Sequence, residues 1–187
     1  MSTGMRRGLT AVLAAGLLAT TITTTAGAGA STEGSTKLDR LRFATAPYFD
    51  IDEAVEDGYG ELRDAEGIAC IDDEAGGMGI HYVNGGLVGD GEVALLTPEA
   101  VIYEPQEDGD MELVAVEYVV LRSAWRENHP TGRPRLMGHR FELVKAGNRY
   151  GLPAFFELHV WAWRTNESGL FEDWNPDITC EFAPPTA

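Results

Sequence analysis

The stretch MELVAVEYVVL, residues 111–121, is the clearest strand signal in the chain. β-Branched, aromatic and aliphatic residues alternate along it on two faces that are both apolar, a pattern typical of a strand covered on both sides. We therefore expect this strand at the centre of a sheet. Glu117 is the charged side chain in its middle, on the predicted face of Leu113 and Val119. A carboxyl group in such surroundings needs a cation, a metal or a raised pKa.

The segment before this strand predicts a β-hairpin. Residues 101–103, Val-Ile-Tyr, are β-branched and aromatic, and residues 105–110 contain the turn pair Asp108-Gly109. An Asp-Gly pair between two apolar runs is a strong hairpin signal. Further strands are predicted at residues 78–83, 138–144, 154–163 and 178–180. Residues 122–137 lack periodicity, which predicts a long loop.

One helix is predicted near residue 50. Asp50 is a typical N-cap residue, and Ala54, Val55 and Tyr59 fall on one apolar face before glycine ends the pattern. Several consecutive strands with one short helix before them, and no alternation of strands with helices, are typical of an α+β protein. The sequence therefore predicts a single α+β domain over residues 47–187, with a mostly antiparallel curved sheet or partial barrel and one or two short helices.

The first thirty residues predict a secretory signal peptide. Arg6 and Arg7 form a short basic region, residues 9–18 form an apolar run too short for a membrane span, and small residues that suit signal peptidase follow. We assign the signal peptide to residues 1–30 and a flexible lead-in to residues 31–46. The two arginines leave general secretory and twin-arginine export open, and either route predicts a protein that is secreted or held at the cell envelope.

The chain is acidic. Its formal net charge is −16 at pH 7, and loss of a leader with two arginines and no acidic residue makes it two units more negative. Such a charge repels nucleic acid and anionic lipid, and no later segment is apolar over the length of a membrane span. We therefore predict no nucleic-acid partner and no membrane span in the mature chain, which leaves a small ligand or a protein partner.

Cys70 and Cys180 are the two cysteines of the chain. An even number of cysteines in an exported protein predicts one disulfide bond. It would join the start of the folded region to its last predicted strand. Two isolated thiols, or a cysteine–histidine nucleophile without an evident third group, are the alternatives that the residues leave open.

Side chains of two more strands indicate a site around Glu117. In the strand over residues 154–163, Glu157 and His159 share one face because side chains alternate, and His81 stands in another predicted strand. If these strands are neighbours in a curved sheet, the four side chains converge. Two imidazoles with one or two carboxylates suit Zn, Mn, Fe or Cu. An open coordination position would then allow hydrolysis or oxygen chemistry.

The same residues have a structural interpretation. On this interpretation Glu157 and His159 form a simple hydrogen-bonded pair, His81 is a hydrogen-bonded core histidine, and Glu117 forms a salt bridge. The arginines available for that salt bridge are Arg122, Arg126, Arg140 and Arg164. Three interpretations stay open: a metal site, a metal-free ligand or catalytic pocket, and a non-catalytic secreted domain that acts through a protein partner and whose buried polar network is structural.

The other histidines and the tryptophans are weaker candidates. His139 suits a turn better than a further metal ligand, and His129 suits a solvated loop. Trp161, Trp163 and Trp174 suit a hydrophobic or sugar-binding cleft, although the spacing of the first two favours the core.

Several unusual segments occur in a fixed order along the chain. They are GMGIHYVN at residues 77–84, PEAVIYEP at 98–105, VEY at 116–118, ELHVW at 157–161 and WNP at 174–176 before Cys180. Over roughly residues 43–180 they resemble an uncharacterised family of exported bacterial proteins that is frequent in actinobacteria. The resemblance implies export, a shared fold and a common core that contains the His81 and His159 segments. It implies no activity.

Overall fold

The computed structural model describes Met1 and residues 27–184, with side chains from residue 34 onward in that range. The predicted signal peptide, residues 1–30, therefore lies almost wholly outside the described residues and stays a prediction. Among the residues that are described, no helix combines the length and the hydrophobicity that crossing a bilayer demands.

Helix α1, Gly27–Thr45, replaces the flexible lead-in that was predicted over residues 31–46. The segment is helical because it docks on the domain. Leu41 is fully buried in the main core, and the Arg42 guanidinium donates to the carbonyl of Ala162 at 2.7 Å. The sequence gives little sign of this, since Leu38 and Leu41 form the only apolar pair at helical spacing before Phe43.

A short 3₁₀ helix, Ala46–Phe49, leads into α2, Ile51–Glu56. The Asp50 carboxylate accepts a hydrogen bond from the Asp52 amide at 3.1 Å, which confirms the predicted N-cap. Ala54 is buried as predicted, but Val55 is 51% exposed. The helix is less than two turns long, so a single residue position decides whether a side chain faces the core.

Nine strands complete the domain. They are β1 (Gly60–Glu61), β2 (Cys70–Asp73), β3 (Gly76–Val83), β4 (Ala100–Pro105), β5 (Met111–Leu121), β6 (Arg135–Leu136), β7 (His139–Arg140), β8 (Glu142–Val144) and β9 (Phe155–Val160). Seven of them form one open sheet in the order β1-β3-β4-β5-β9-β8, with β2 also paired to β3. Every pairing is antiparallel, and β6 pairs with β7 separately. The predicted α+β class and central position of β5 are confirmed.

The β4–β5 hairpin carries a bulge that changes which residues share a face. Ile102 pairs with Ala115 and Tyr103 with Leu113, so Val114 has no partner residue in β4. Leu113 therefore lies in the main core, while Val114 and Ala115 lie in a second cluster on the opposite face. The prediction that Leu113 shares a face with Glu117 is wrong, because a bulge reverses the alternation of side chains.

Two other predicted segments differ from the structure. Residues 122–137 contain α4, Arg122–Asn128, in place of a continuous loop; seven residues are too few to show helical periodicity. Residues 178–180 do not form a strand. The Thr179 amide donates to the Glu104 carboxylate at 3.0 Å instead of to a neighbouring strand. A fourth helix, α3 (Gly85–Val88), follows β3 and is capped by Asn84.

The predicted disulfide bond is present. Cys70 in β2 is bonded to Cys180 near the C-terminal end, with a Cα–Cα distance of 5.7 Å. The bond holds the C-terminal segment against the sheet, where Ile178 is buried with Trp161 in the second cluster. No free cysteine is left, which removes the thiol and cysteine-nucleophile alternatives.

Candidate metal centre

Three strands bring polar side chains together on one face of the sheet. Glu117 of β5 pairs with His159 of β9 on one side and with Ala100 of β4 on the other. His81 of β3 pairs with Ile102 of β4. His81 and Glu117 therefore face each other across β4, and the small side chain of Ala100 leaves the space in which they meet.

The side chains of His81, Glu117 and His159 lie at metal-ligand distances from one another. Each offers one ligand atom, and these three atoms all lie within 4.8 Å of one another. Nε2 of His81 is 3.5 Å from a carboxylate oxygen of Glu117, close to the separation of about 3.4 Å between two ligands of a tetrahedral zinc ion. The two imidazole centroids are 6.1 Å apart.

Three of the four imidazole nitrogens lack the partners that a structural network would provide. His81 is 3% and His159 is 1% exposed. Among the side chains that the structure describes, Nδ1 of His81 and both ring nitrogens of His159 are buried without a hydrogen-bond partner. Leaving a buried polar atom unbonded costs about 1–3 kcal/mol. Such atoms call for an explanation, and a metal ion that accepts nitrogen lone pairs is one.

The structural pairs that the sequence suggested are not formed. Because neither nitrogen of His159 has a hydrogen-bond partner, the predicted Glu157–His159 pair is absent. Arg164 pairs with Glu104 and Glu112 at 2.8 Å each and so is not the partner of Glu117. The close side-chain contact that the structure gives to Glu117 is with Nε2 of His81, at 3.5 Å.

Both imidazoles are neutral at physiological pH. Burial lowers the pKa of His81 to about 4, and the positive charge of Arg149 acts in the same direction. Burial also lowers the pKa of His159 well below its usual range, with a further contribution from His81. Neutral imidazole is the form that ligates metals, so neither ring has to lose a proton before it binds one.

Glu157 lies beside Glu117 and forms a carboxyl pair with it, but it is outside the group of three ligand atoms. Burial raises the pKa of Glu117 well above its usual range, and the charge and hydrogen bond of Glu157 raise it further. Burial raises the pKa of Glu157 to about 7, while the hydrogen bond with Glu117 lowers it. The raised pKa favours the protonated form of Glu117, and a metal ion would displace that proton on binding.

A cavity of about 710 Å³ opens next to the three ligands. Along β5, Val119 and Leu121 follow Glu117 on the same face, and along β9 Phe155 and Glu157 precede His159. Val119, Leu121, Phe155 and Glu157 line the cavity together with His81, Glu117 and six residues between Val144 and Pro153. Two of the three ligands, His81 and Glu117, therefore border a largely apolar space.

The loop over residues 145–153 adds Arg149 and Tyr150 to the cavity lining. The Asn148 side chain organises this loop, donating to the carbonyl of Leu152 at 2.9 Å and accepting from the amide of Tyr150 at 3.2 Å. The Arg149 guanidinium pairs with Asp64 at 3.0 Å. Sequence reasoning missed both lining residues; the Asn-Arg-Tyr-Gly turn indicates a loop and gives no sign of what it approaches.

Tyr150 lies near Glu117 in the lining of the cavity. Burial raises the pKa of the Tyr150 hydroxyl above its usual range, and Glu117 contributes next in size. The hydroxyl is therefore protonated at any physiological pH. It is a hydrogen-bond donor on the wall of the cavity.

The weaker candidates from the sequence stay outside the ligand group. His139 stacks on Phe171 at 3.7 Å, and His129 stacks on Trp125 at 3.6 Å. The three tryptophans do not form one cleft. Trp161 is buried in the second cluster, Trp163 packs against the main core, and Trp174 lines the cavity.

No family model, no curated protein and no solved structure matches this chain.

Proposed function

We propose that this protein is an exported domain that binds one divalent transition metal through His81, Glu117 and His159 and exposes it to the adjacent cavity. The observation that carries the proposal is the group of three buried ligand atoms within 4.8 Å of one another. The unbonded imidazole nitrogens support it, because a ring nitrogen that ligates a metal ion has no other partner within the protein.

The ligand set favours zinc, with iron, manganese and copper as alternatives. Two imidazoles and one carboxylate occur in catalytic zinc sites and in non-haem iron sites, both of which keep open positions for water or substrate. A metal bound in this way supplies Lewis acidity for hydrolysis, or a centre for oxygen chemistry. In this chain His81 and Glu117 would hold such a metal beside a cavity with largely apolar walls.

The chain's own residues complete the site. Glu157, beside Glu117, is placed to accept the proton that leaves when Glu117 becomes a ligand. Tyr150 is placed to donate a hydrogen bond to a molecule in the cavity. Both roles suit an enzyme, in which a donor and a proton acceptor surround an electrophilic centre.

A structural polar network is the competing function for these residues, in a secreted domain that acts through a protein partner. Such a network predicts that buried nitrogens are hydrogen-bonded, as most are in native proteins. Three unbonded nitrogens in two histidines weigh against it.

The exported location is part of the proposal. Two observations support it. The Cys70–Cys180 disulfide is typical of oxidising compartments, and the N-terminal segment has the basic and apolar regions of a signal peptide. The resemblance to exported bacterial proteins agrees with both. In that location the metal comes from the surrounding medium.

The test is elemental analysis of untagged protein purified from a secreted or periplasmic preparation. We expect close to one equivalent of a transition metal in the wild type and its loss in His81→Ala and in His159→Ala. His139→Ala is the matched control, since it removes an exposed histidine outside the ligand group, and it should keep the metal. A wild type that is metal-free and retains no added zinc, copper, iron or manganese after dialysis overturns the proposal.

A further inference from the structure

We infer that the cavity binds an elongated, largely apolar molecule that carries a metal-coordinating oxygen group at one end. This inference rests on the proposed metal centre and specifies its substrate class. The expected substrates are lipid-like acids, esters and amides, and not nucleotides or other phosphorylated molecules.

The size of the cavity suits a small molecule. Its volume of about 710 Å³ lies within the range of about 300–1,000 Å³ that is common for small-molecule sites. The distance along β5 from Glu117 to Leu121 is about 13 Å for an extended strand, and both residues line the cavity. The space is therefore long enough for a chain of several methylenes beyond a metal-bound head group.

The polar and apolar parts of the lining are separated along the strands. At one end, Glu117 pairs with His159; one step along, Val119 pairs with Glu157; at the other end, Leu121 pairs with Phe155. The side chains that β5 and β9 contribute thus become less polar with distance from Glu117. A molecule with a polar head and an apolar tail matches that order, because each part meets surroundings of its own kind.

The lining contains little that recognises an anionic group such as a phosphate. Among the described residues of the lining, Arg149 is the one basic side chain, and its guanidinium is already paired with Asp64 at 3.0 Å. Phosphate recognition requires unpaired cations or clustered amide donors. The walls beyond the ligand group instead offer aliphatic and aromatic carbon from Met78, Leu152 and Trp174.

The probes for this inference are two hydroxamates, which share a metal-binding head and differ in tail length. Acetohydroxamate and octanohydroxamate are titrated by calorimetry into zinc-loaded protein, with metal content measured before and after. Each buried methylene should tighten binding about four-fold. We expect octanohydroxamate to bind at least about a hundred-fold more tightly, which allows for incomplete burial of its six additional carbons.

A matched pair of variants locates the tail. Val144→Trp fills part of the cavity, whereas Val55→Trp makes the same substitution on the exposed face of α2. We expect Val144→Trp to reduce the preference for octanohydroxamate by about ten-fold or more while acetohydroxamate binding is retained, and Val55→Trp to leave both affinities unchanged. If Val144→Trp does not fold, Leu121→Gln makes the outer end of the cavity polar without added bulk and should reduce the same preference.

The outcomes separate the two proposals. If zinc is retained but the two hydroxamates bind equally, or neither binds, the substrate class is wrong and the metal centre stands. If the tail preference survives in both cavity variants, the tail lies elsewhere and the inference is overturned. If the wild type retains no metal, the proposed function fails, and this inference fails with it.

Discussion

The two faces of the sheet are built by the same strands and differ in whether their polar atoms are bonded. The helix face is the one whose residues pack against α1 and α2, and it includes Tyr103 and Tyr118. Its hydroxyl groups are bonded: Tyr118 donates to the carbonyl of Leu95 at 2.6 Å, and Tyr103 donates to that of Tyr48 at 2.7 Å. For these two hydroxyls burial is accompanied by hydrogen bonding, as in most protein interiors.

The site face is the opposite one, which carries His81, Glu117 and His159. Two of its imidazoles have unbonded nitrogens, its carboxyl groups have raised pKa values, and a cavity adjoins them. Neighbouring residues of β5 and β9 contribute to both faces. Poor packing of these strands would therefore affect both faces, and it does not explain why the imidazole nitrogens of the site face are unbonded. Unbonded imidazole nitrogens, two carboxyl groups with raised pKa values and open space occur together on the site face, and that combination is typical of a functional site.

The largest expected effect compares two adjacent phenylalanines on opposite faces. Phe156 lies in the main core, and Phe155 lines the cavity. Phe156→Ala should lower the free energy of unfolding by about 3–5 kcal/mol, because it opens a new cavity in packed surroundings. Phe155→Ala should cost about 2 kcal/mol or less, since the space it leaves joins one that already exists. Urea unfolding measures both, and equal losses would mean that the two faces are packed alike.

The disulfide bond should stabilise the protein by about 2–4 kcal/mol, and it should also support the site face. Cys180 holds the segment whose Ile178 packs beside Trp161, the residue stacked on His159 at 4.7 Å. The Cys70→Ser/Cys180→Ser double variant should therefore unfold at lower urea concentration and bind zinc more weakly. A variant with the wild-type zinc affinity would show that the site face does not depend on the C-terminal segment.

Local patterns in the sequence were sufficient to predict much of the helix face. Alternation and the Asp-Gly turn predict β5 and its hairpin, and Asp50 predicts the start of α2; the structure confirms both. The cysteine count predicts the disulfide. The hairpin and the N-cap depend on residues that are close together in the sequence. The disulfide follows from there being two cysteines, so that only one pairing within the chain exists.

The site face depends on long-range register, which the sequence does not display. That His81 reaches Glu117 requires β4 to lie between β3 and β5 with Ala100 at the crossing point. The bulge at Val114 and the approach of Arg149 and Tyr150 are equally invisible in local patterns. The prediction of convergence therefore identified the polar residues of three strands but not the two lining residues from the loop.

The pH dependence of stability should reveal a buried carboxyl group at the end of β4. Glu99 is 2% exposed and accepts a hydrogen bond from the Val119 amide at 3.0 Å. Burial raises the pKa of Glu99 to about 8 from an ordinary value of 4.5. Because the folded state holds this proton more tightly than the unfolded state, the contribution of Glu99 to stability is complete below pH 4.5 and is lost as pH rises through 8.

Glu99→Gln mimics the protonated side chain and should remove that part of the pH dependence. In EDTA-treated protein the variant should match the wild type near pH 5 and exceed its free energy of unfolding at pH 8, by about 3 kcal/mol. Glu53→Gln on the exposed surface of α2 is the control and should follow the wild type at both pH values. If the wild type, Glu99→Gln and Glu53→Gln all lose the same free energy of unfolding between pH 5 and pH 8, Glu99 is not the source of the pH dependence.

The smallest effect compares two tyrosine hydroxyls across the sheet. Tyr118→Phe removes the bond to the Leu95 carbonyl on the helix face and should lower the free energy of unfolding by about 0.5–1.5 kcal/mol. Tyr150→Phe removes a hydroxyl from the cavity wall, where a hydrogen bond would be made to a bound molecule, so its effect on stability should stay below about 0.5 kcal/mol. Urea unfolding of both variants decides this, and a larger loss for Tyr150→Phe would mean that its hydroxyl supports the fold. The two faces would then be alike in their use of tyrosine, and the cavity wall would lose its proposed donor.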